Sequence, residues 1–417
     1  MTRRTIGILI LLAVVAFYAF GTGFPFFYRL LYAILLVLLI GLVWAWLNLR
    51  KLEVQLTRSE HRGQVGGYLE GRIRVISHTR LPKSWLEVTE VTDLPDYSTG
   101  RGLALVREQS RTWRIQTYLA RRGVYRTGQV EVISRDPFGL FELRRRFLQP
   151  QAYLVLPATQ PLPDLDSRFA NLPSDSRVTR RSDHITTDAA SVREYASGDS
   201  LARIHWPSTA RMNTFMVKEF DMGISAEAWV LLDLQRGVHL GSPPDNTEEL
   251  AVTVAASLIT RLLELSLPVG LAADGDQTYL LRPDSSPEQQ GRLMEALAAV
   301  RAQGQTTLER FIYDLQPHLN RFNTLTVVTP SAHSEWIPAV DSLRHVGINV
   351  AVVIIDPQSF GGSMDLQFSL NSLFVNDIPT YLVKRGQPLN EALRFPVGRG
   401  SDLTATMVAP AARETAR

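Results

Sequence analysis

Apolar and polar positions along this chain fall into three regimes. Residues 6–20 form an unbroken apolar run, the stretch 21–25 reads Gly-Thr-Gly-Phe-Pro, and a second run follows from Leu30 to Leu47. Crossing a bilayer takes about 20 predominantly apolar residues. Residues 1–50 are therefore expected to form a transmembrane hairpin, spanning about 5–23 and 27–48. From Leu52 the runs shorten and alternate, as in Leu52–Leu56, Gly71–Val75, Trp85–Val88, Thr112–Ile115 and Gln129–Val132. One apolar and one polar face per strand predicts an all-β antiparallel sandwich over residues 51–157. Residues 158–190 turn polar and proline-bearing and are expected to be an exposed linker. Beyond it, apolar strands at 228–234, 269–273, 278–281, 325–329, 350–355 and 381–384 alternate with helical patterns at 247–265, 287–300, 308–319 and 336–345. Such alternation predicts an α/β domain with a doubly wound, mainly parallel sheet. It is placed within residues 191–385, with 386–417 as a flexible tail.

Charge orients the hairpin. Arg3 and Arg4 precede the first run and Arg50 and Lys51 follow the second, while Arg29 alone lies between them. The positive-inside bias puts both termini and the soluble domains in the cytoplasm of a multi-pass cell-membrane protein. A cleaved signal peptide would need a small-residue site after the first run, and no Ala-x-Ala follows it. Arginines outnumber acids between Arg50 and Arg146, giving a juxtamembrane basic face suited either to anionic lipid headgroups or to plain solvation. The net charge of +3 does not argue for nucleic acid, and the absence of cysteine excludes disulfides, thiol nucleophiles and cysteine-based metal sites.

The densest stretch lies between the linker and the first apolar strand. It reads SVREYASGDSLARIHWPSTARMNTFMVKEF from Ser191 to Phe220. Gly198 and Asp199 predict a turn and an N-cap, Leu201–Trp206 a short helix stopped by Pro207, and Phe215–Phe220 a strand. Asp199 and Arg203 stand four apart, where they would face each other on that helix. These charges read either as a structural network or as a recognition surface. The run Arg193-Glu194-Tyr195, Gly198-Asp199, Arg203-Ile204-His205-Trp206, Ser208, Ala210-Arg211 and Val217-Lys218-Glu219 resembles the signature of the domain of unknown function 58 family. At His205 that family often carries Asp. Arg122-Gly123-Val124-Tyr125 and Ser134 to Phe141, reading SRDPFGLF, add a second resemblance. Phe138 and Phe141 read as core plugs beside a turn at Gly139.

The resemblance implies a bacterial membrane-anchored protein with an immunoglobulin-like sandwich and a von Willebrand factor A-like α/β domain, typically encoded beside a MoxR-type AAA+ ATPase. It supplies no biochemical activity. Where such domains end their first strand in Asp-x-Ser-x-Ser around a divalent cation, this chain reads Asp233-Leu234-Gln235-Arg236-Gly237. The aspartate is kept, both serines are gone and a positive charge is added, so Asp233 is only a residual metal candidate. Gly198-Asp199-Ser200-Leu201 spells the block of the GDSL hydrolases, but the Asp-x-x-His pair that chemistry needs is missing. Asp314 with His318 and Asp341 with His345 are each one residue too wide. No catalytic residue and no cofactor is expected.

The expected function is a non-enzymatic adaptor in the assembly or maturation of complexes. Its partners are the lipid bilayer and a protein, the MoxR-type ATPase. The interaction residues are Arg193, Tyr195, Gly198, Asp199, Arg203, Trp206, Arg211, Lys218 and Glu219. A self-associating structural envelope protein is the alternative, followed by a membrane-associated hydrolase.

Overall fold

A computed structural model describes residues 3–58, 60–97, 100–106, 108–169, 191–196, 204–219 and 227–398. The chain divides into two compact units. The first comprises residues 1–159 with 242–256 and 294–300; the second comprises 160–241, 257–293 and 301–417.

The first unit opens with helix α1 (Arg3–Thr22) and helix α2 (Pro25–Leu49). By length and composition α2 can cross a membrane, whereas the apolar stretch of α1, Ile6–Thr22, is shorter. Tyr18 of α1 stacks on Phe27 of α2 with ring centroids 5.6 Å apart. Ten strands follow: β1 (Leu52–Thr57), β2 (Arg62–Gln64), β3 (Tyr68–Ser77), β4 (Lys83–Val91), β5 (Arg101–Leu105), β6 (Ser110–Tyr118), β7 (Gly123–Thr127), β8 (Gln129–Arg135), β9 (Glu142–Phe147) and β10 (Gln151–Leu156). They pair as β1-β3-β6, β5-β4-β8-β9 and β2-β10-β7. All these pairings are antiparallel except β10 with β2. Every second residue of β3 is buried, as the alternating sequence requires. Val54, Ile73, Val75, Leu86, Val88, Ile115, Val130 and Val132 share one core with Leu49 of α2. The C-terminal end of α2 thus joins the core of the sheet-rich body.

Its attachment is specific. Lys83, buried, donates from Nζ to the carbonyls of Leu47 and Arg50, the latter at 2.9 Å. A cation on the free carbonyls of a helix C-terminus complements the helix dipole. Burial pushes the Lys83 amine below its ordinary pKa. Asn48 Nδ2 donates to Ser84 O at 2.9 Å, and Arg145 Nη1 to Leu49 O at 3.2 Å.

In the second unit, residues 160–169 do not behave as the exposed linker expected from their polarity. Leu162 and Phe169 are buried, and Phe169 stacks on Tyr381 with centroids 4.5 Å apart. Two apolar side chains suffice to fasten the segment. A small sheet of β11 (Ser191–Glu194) and β12 (Met216–Glu219) brackets helix α3 (Trp206–Met212). The α/β part, of which residues 242–256 and 294–300 belong to the first unit, comprises β13 (Ala228–Leu232), the two-residue strands β14 (Gly241–Ser242) and β15 (Asp245–Asn246), and α4 (Thr247–Glu264). There follow β16 (Val269–Asp274), β17 (Thr278–Asp284), α5 (Pro287–Ala299), α6 (Leu308–Leu315), β18 (Thr324–Thr329), α7 (Ile337–His345), β19 (Asn349–Ile355), α8 (Gln367–Val375), β20 (Thr380–Val383) and α9 (Leu389–Ala392). The six-stranded sheet has the order β17-β16-β13-β18-β19-β20. Its strands are parallel except β17, which returns antiparallel beside β16. Residues of α6, α7 and α8 pack on the strands around Trp229, Leu231, Val327, Val352 and Ile354. The end of the chain differs from expectation too. Leu389, Ala392 and Leu393 are buried, and Val397 N donates to Thr380 O at 2.8 Å, so 389–397 belongs to the packed unit and not to a flexible tail.

Candidate functional site

The stretch singled out by charge density folds as a hairpin that clasps a helix. Ser191 to Glu194 pair with Glu219 to Met216 in antiparallel register. Tyr195 N donates to Phe215 O at 2.8 Å, and Ile204 bridges to Val217. Met216 and Val217 are buried beneath. Helix α3 begins at Trp206, so Pro207 opens the helix and does not stop it, and Ile204 is extended. The reason is local: proline lacks the N–H that the first helical turn cannot use, and its fixed φ suits that position. His205 is the N-cap, with Nδ1 accepting from Ser208 N at 3.3 Å and lying 2.7 Å from Ser208 Oγ. A capping acceptor is the role an aspartate would fill there. Asn213 ends the helix in the left-handed conformation, and Thr209 Oγ1 accepts from Met216 N at 3.0 Å.

What this hairpin presents is apolar. Trp206 is 64% exposed, Met212 63%, and Phe215 56%, while Tyr195, also exposed, meets Phe215 edge-on with centroids 6.3 Å apart. Arg211 is exposed in the last turn of α3. Of Arg193, Lys218 and Glu219 the backbone lies in the two strands; their side chains are outside the described set. Gly198, Asp199 and Arg203, with Ser200 and Leu201 of the GDSL block, lie outside the described residues. The structure therefore brings Tyr195, Trp206 and Arg211 onto one small element. Sequence reasoning passed over Met212 and Phe215, although both stand within the same run.

The second candidate locus is the carboxyl end of the parallel strands. Asp233, just past β13, is buried; Oδ2 accepts from Thr329 Oγ1 at 2.6 Å and Oδ1 from Gln235 N at 3.1 Å. Thr329 Oγ1 in turn accepts from Ser331 N at 2.9 Å, and His239 Nε2 lies 3.0 Å from the Asp233 carbonyl. Burial raises the Asp233 pKa, against the hydrogen bonds from Thr329 and Gln235, which lower it. A carboxyl so engaged acts as a strand-end cap tying β13 to β18. Among the described residues no group of three or more His, Asp or Glu side chains could hold a metal ion. Asp341 and His345 form an i,i+4 surface pair at 3.5 Å on α7.

The upstream motifs have structural work. Arg122 is buried in the first unit, with Nη2 2.6 Å from Glu248 Oε1 and Nη1 2.6 Å from Glu249 Oε2. Its Nε donates to Leu297 O and its Nη2 to Val300 O, each at 2.9 Å. Tyr125 Oη donates to the carbonyls of Arg121 and Arg122 at 3.2 and 3.1 Å. In the turn between β8 and β9, Asp136 accepts from Phe138 N at 2.9 Å and from Phe141 N at 2.6 Å. Phe138 is 53% exposed at its tip and is no core plug. The turn closes on Asp136 instead.

Residues 191–360 match DUF58, a protein family of unknown function. The DUF58 match opens on the first residue of β11 and runs past the end of β19, so it takes in the clasped helix, Asp233 and Thr329. A stretch of 190 residues is 26% identical to the uncharacterized protein YeaD of Bacillus subtilis (strain 168), covering 46% of each chain. The match thus spans about half the length of that curated relative. Among solved structures, the C-terminal domain of wzt aligns over 25% of this chain and 73% of its own, with 9% identity and a TM-score of 0.21. A CARDB domain from Pyrococcus furiosus aligns over 25% and 94%, with 10% identity and a TM-score of 0.19. Neither likeness is close enough to carry an argument about fold or function.

Proposed function

We propose that this chain is a non-enzymatic membrane-anchored adaptor, which offers the β11–α3–β12 hairpin to a protein partner. The observation that carries the reading is the exposure of Tyr195, Trp206, Met212 and Phe215 together on one element. Among the described residues, β11 and β12 pair with no other strand. Aromatic side chains and methionine are the residues most enriched in protein interfaces, and a cluster of them rimmed by Arg211 suits a partner surface with apolar pockets and acidic edges. A MoxR-type AAA+ ATPase is the partner the family resemblance suggests. On this reading α1 and α2 form a two-span anchor with both termini cytoplasmic. The strands of the first unit form an immunoglobulin-like sandwich, and the parallel sheet of the second is a von Willebrand factor A-like domain. The engaged oxygens of Asp233 and the missing serines beside it favour binding without a bridging cation.

The test is co-purification of tagged full-length protein from gently solubilised native membranes, with and without nucleotide. Capture of an AAA+ ATPase that responds to nucleotide and is lost in W206A/F215A and in R203E, with the unfolding midpoint kept, is the expected result. Capture unchanged by those substitutions refutes the docking surface. Recovery of the chain's own copies alone favours a self-associating structural protein.

A further inference from the structure

The turn that SRDPFGLF forms lies against the anchor helix well before that helix ends. A Cβ placed on Gly41 of α2 would sit 3.3 Å from Asp136 Oδ2 and 3.3 Å from Phe141 Cδ2, so the close approach depends on a residue without a side chain. The helix continues for two more turns to Leu49, where the attachments of Lys83, Asn48 and Arg145 begin. At 1.5 Å per residue, the turn meets α2 about 12 Å above its last residue. The headgroup layer of one leaflet is only about 5–8 Å deep, being half the difference between a whole bilayer and its hydrocarbon core. Measured from its other end, the stretch of α2 from Pro25 to Gly41 is about 24 Å long, less than the roughly 30 Å hydrocarbon core, so if α2 spans, the Asp136–Phe141 turn cannot stay in bulk water.

Its chemistry suits that level. The Asp136 carboxylate is buried and accepts from the N–H groups of Phe138 and Phe141, so both of its oxygens are hydrogen-bonded within the turn. Phe138 at the tip is exposed, and Trp44 and Trp46 on the neighbouring stretch of α2 are exposed aromatics of the type found at membrane interfaces. Arg50, whose guanidinium lies 4.6 Å from the Trp46 ring centroid, supplies a cation near the lipid phosphates.

We propose that the Asp136–Phe141 turn docks into the headgroup layer of the bilayer that α2 enters, with Phe138 reaching the ends of the acyl chains. The sandwich would then be held to the lipid surface at a second point, which fixes its tilt relative to the anchor. This rests on the reading of α2 as a span.

The chain contains no cysteine, so single-cysteine variants of the full-length protein report one site each. F138C, L36C on α2 and V124C on β7 are labelled with an environment-sensitive fluorophore. The three replaced side chains are all more than half exposed, so no core contact is lost. The proteins are reconstituted in phosphatidylcholine–phosphatidylglycerol vesicles containing lipids brominated on their acyl chains. Strong quenching is expected at position 36, and at 138 quenching at least about twofold that at 124, greatest with bromine near the carbonyl end of the chain. Quenching at 36 with 138 no different from 124 would overturn the proposal and leave the span standing. No quenching at 36 or 138 would overturn both.

Discussion

Removing the Arg122 guanidinium is the sharpest perturbation the first unit offers. The side chain is fully buried and serves two glutamates and two backbone carbonyls at once. Arg122→Ala leaves Glu248 and Glu249 facing each other at the start of α4 with no cation between them, and strands the carbonyls of Leu297 and Val300. Breaking a buried ion pair from one side costs about 3–5 kcal/mol. The glutamates keep 15% and 19% of their side-chain surface and regain some water, which places the expectation at the lower end. Even about 3 kcal/mol is a large fraction of the 5–15 kcal/mol typical of a domain. Arg122→Lys should lose less than alanine yet remain well below wild type, because one ammonium cannot span the four acceptors of a planar fork. The assay is equilibrium urea unfolding of full-length protein in detergent. Neutralising the carboxylates with E248Q/E249Q in the R122M background should return at least half the loss, since a group replaced as a whole leaves no uncompensated charge. A loss under about 1 kcal/mol for Arg122→Ala would refute the hub, because that is the worth of a surface pair.

Two further expectations concern caps. His205→Ala should cost about 1 kcal/mol, while His205→Asp should match or exceed wild type, because the carboxylate supplies the same acceptor at the N-terminus of α3; equal loss in both would show that Nδ1 does not cap. Asp233 has a pKa raised by burial above its ordinary 3.8, so the stability it allows is complete below that value and declines as pH rises through the raised one. Asp233→Asn should therefore gain on wild type as pH climbs across that window, in thermal unfolding followed at a series of pH values, and a difference independent of pH would contradict it.

The linear pattern determined a good deal. Two long apolar runs gave the helices, and period-two alternation gave β1, β3, β4, β6 and β8, five of the ten strands described in the first unit. Apolar runs gave β13 and β19, and β18 with its interspersed threonines, because these strands are buried on both faces. The short strands β2 and β5 carry too few residues for a period to register, whereas α8, as long as α7, spreads its apolar residues around the helix and shows no single face. Pro207 was read as a stop because in sequence a proline marks a helix boundary without saying which end. The stretches 160–169 and 389–397 looked solvated because composition averages out the few apolar side chains, Leu162, Phe169, Leu389 and Leu393, that fasten them.

Of the candidate site, the place and the residue types were legible in the chain alone: the run from Ser191 to Phe220 and the degenerate Asp233 end. Which side chains face outward was decided only in three dimensions. Met216 and Val217 of β12 are buried while Met212 at the end of α3 and Phe215 just before β12, chemically alike, are exposed, a division that residue type does not predict. The partners of Arg122 lie more than a hundred residues away, and the Asp136–Phe141 turn owes its close approach to α2 to Gly41. Periodicity reports the neighbours along one element; contacts between elements depend on chain closure, which no local pattern encodes.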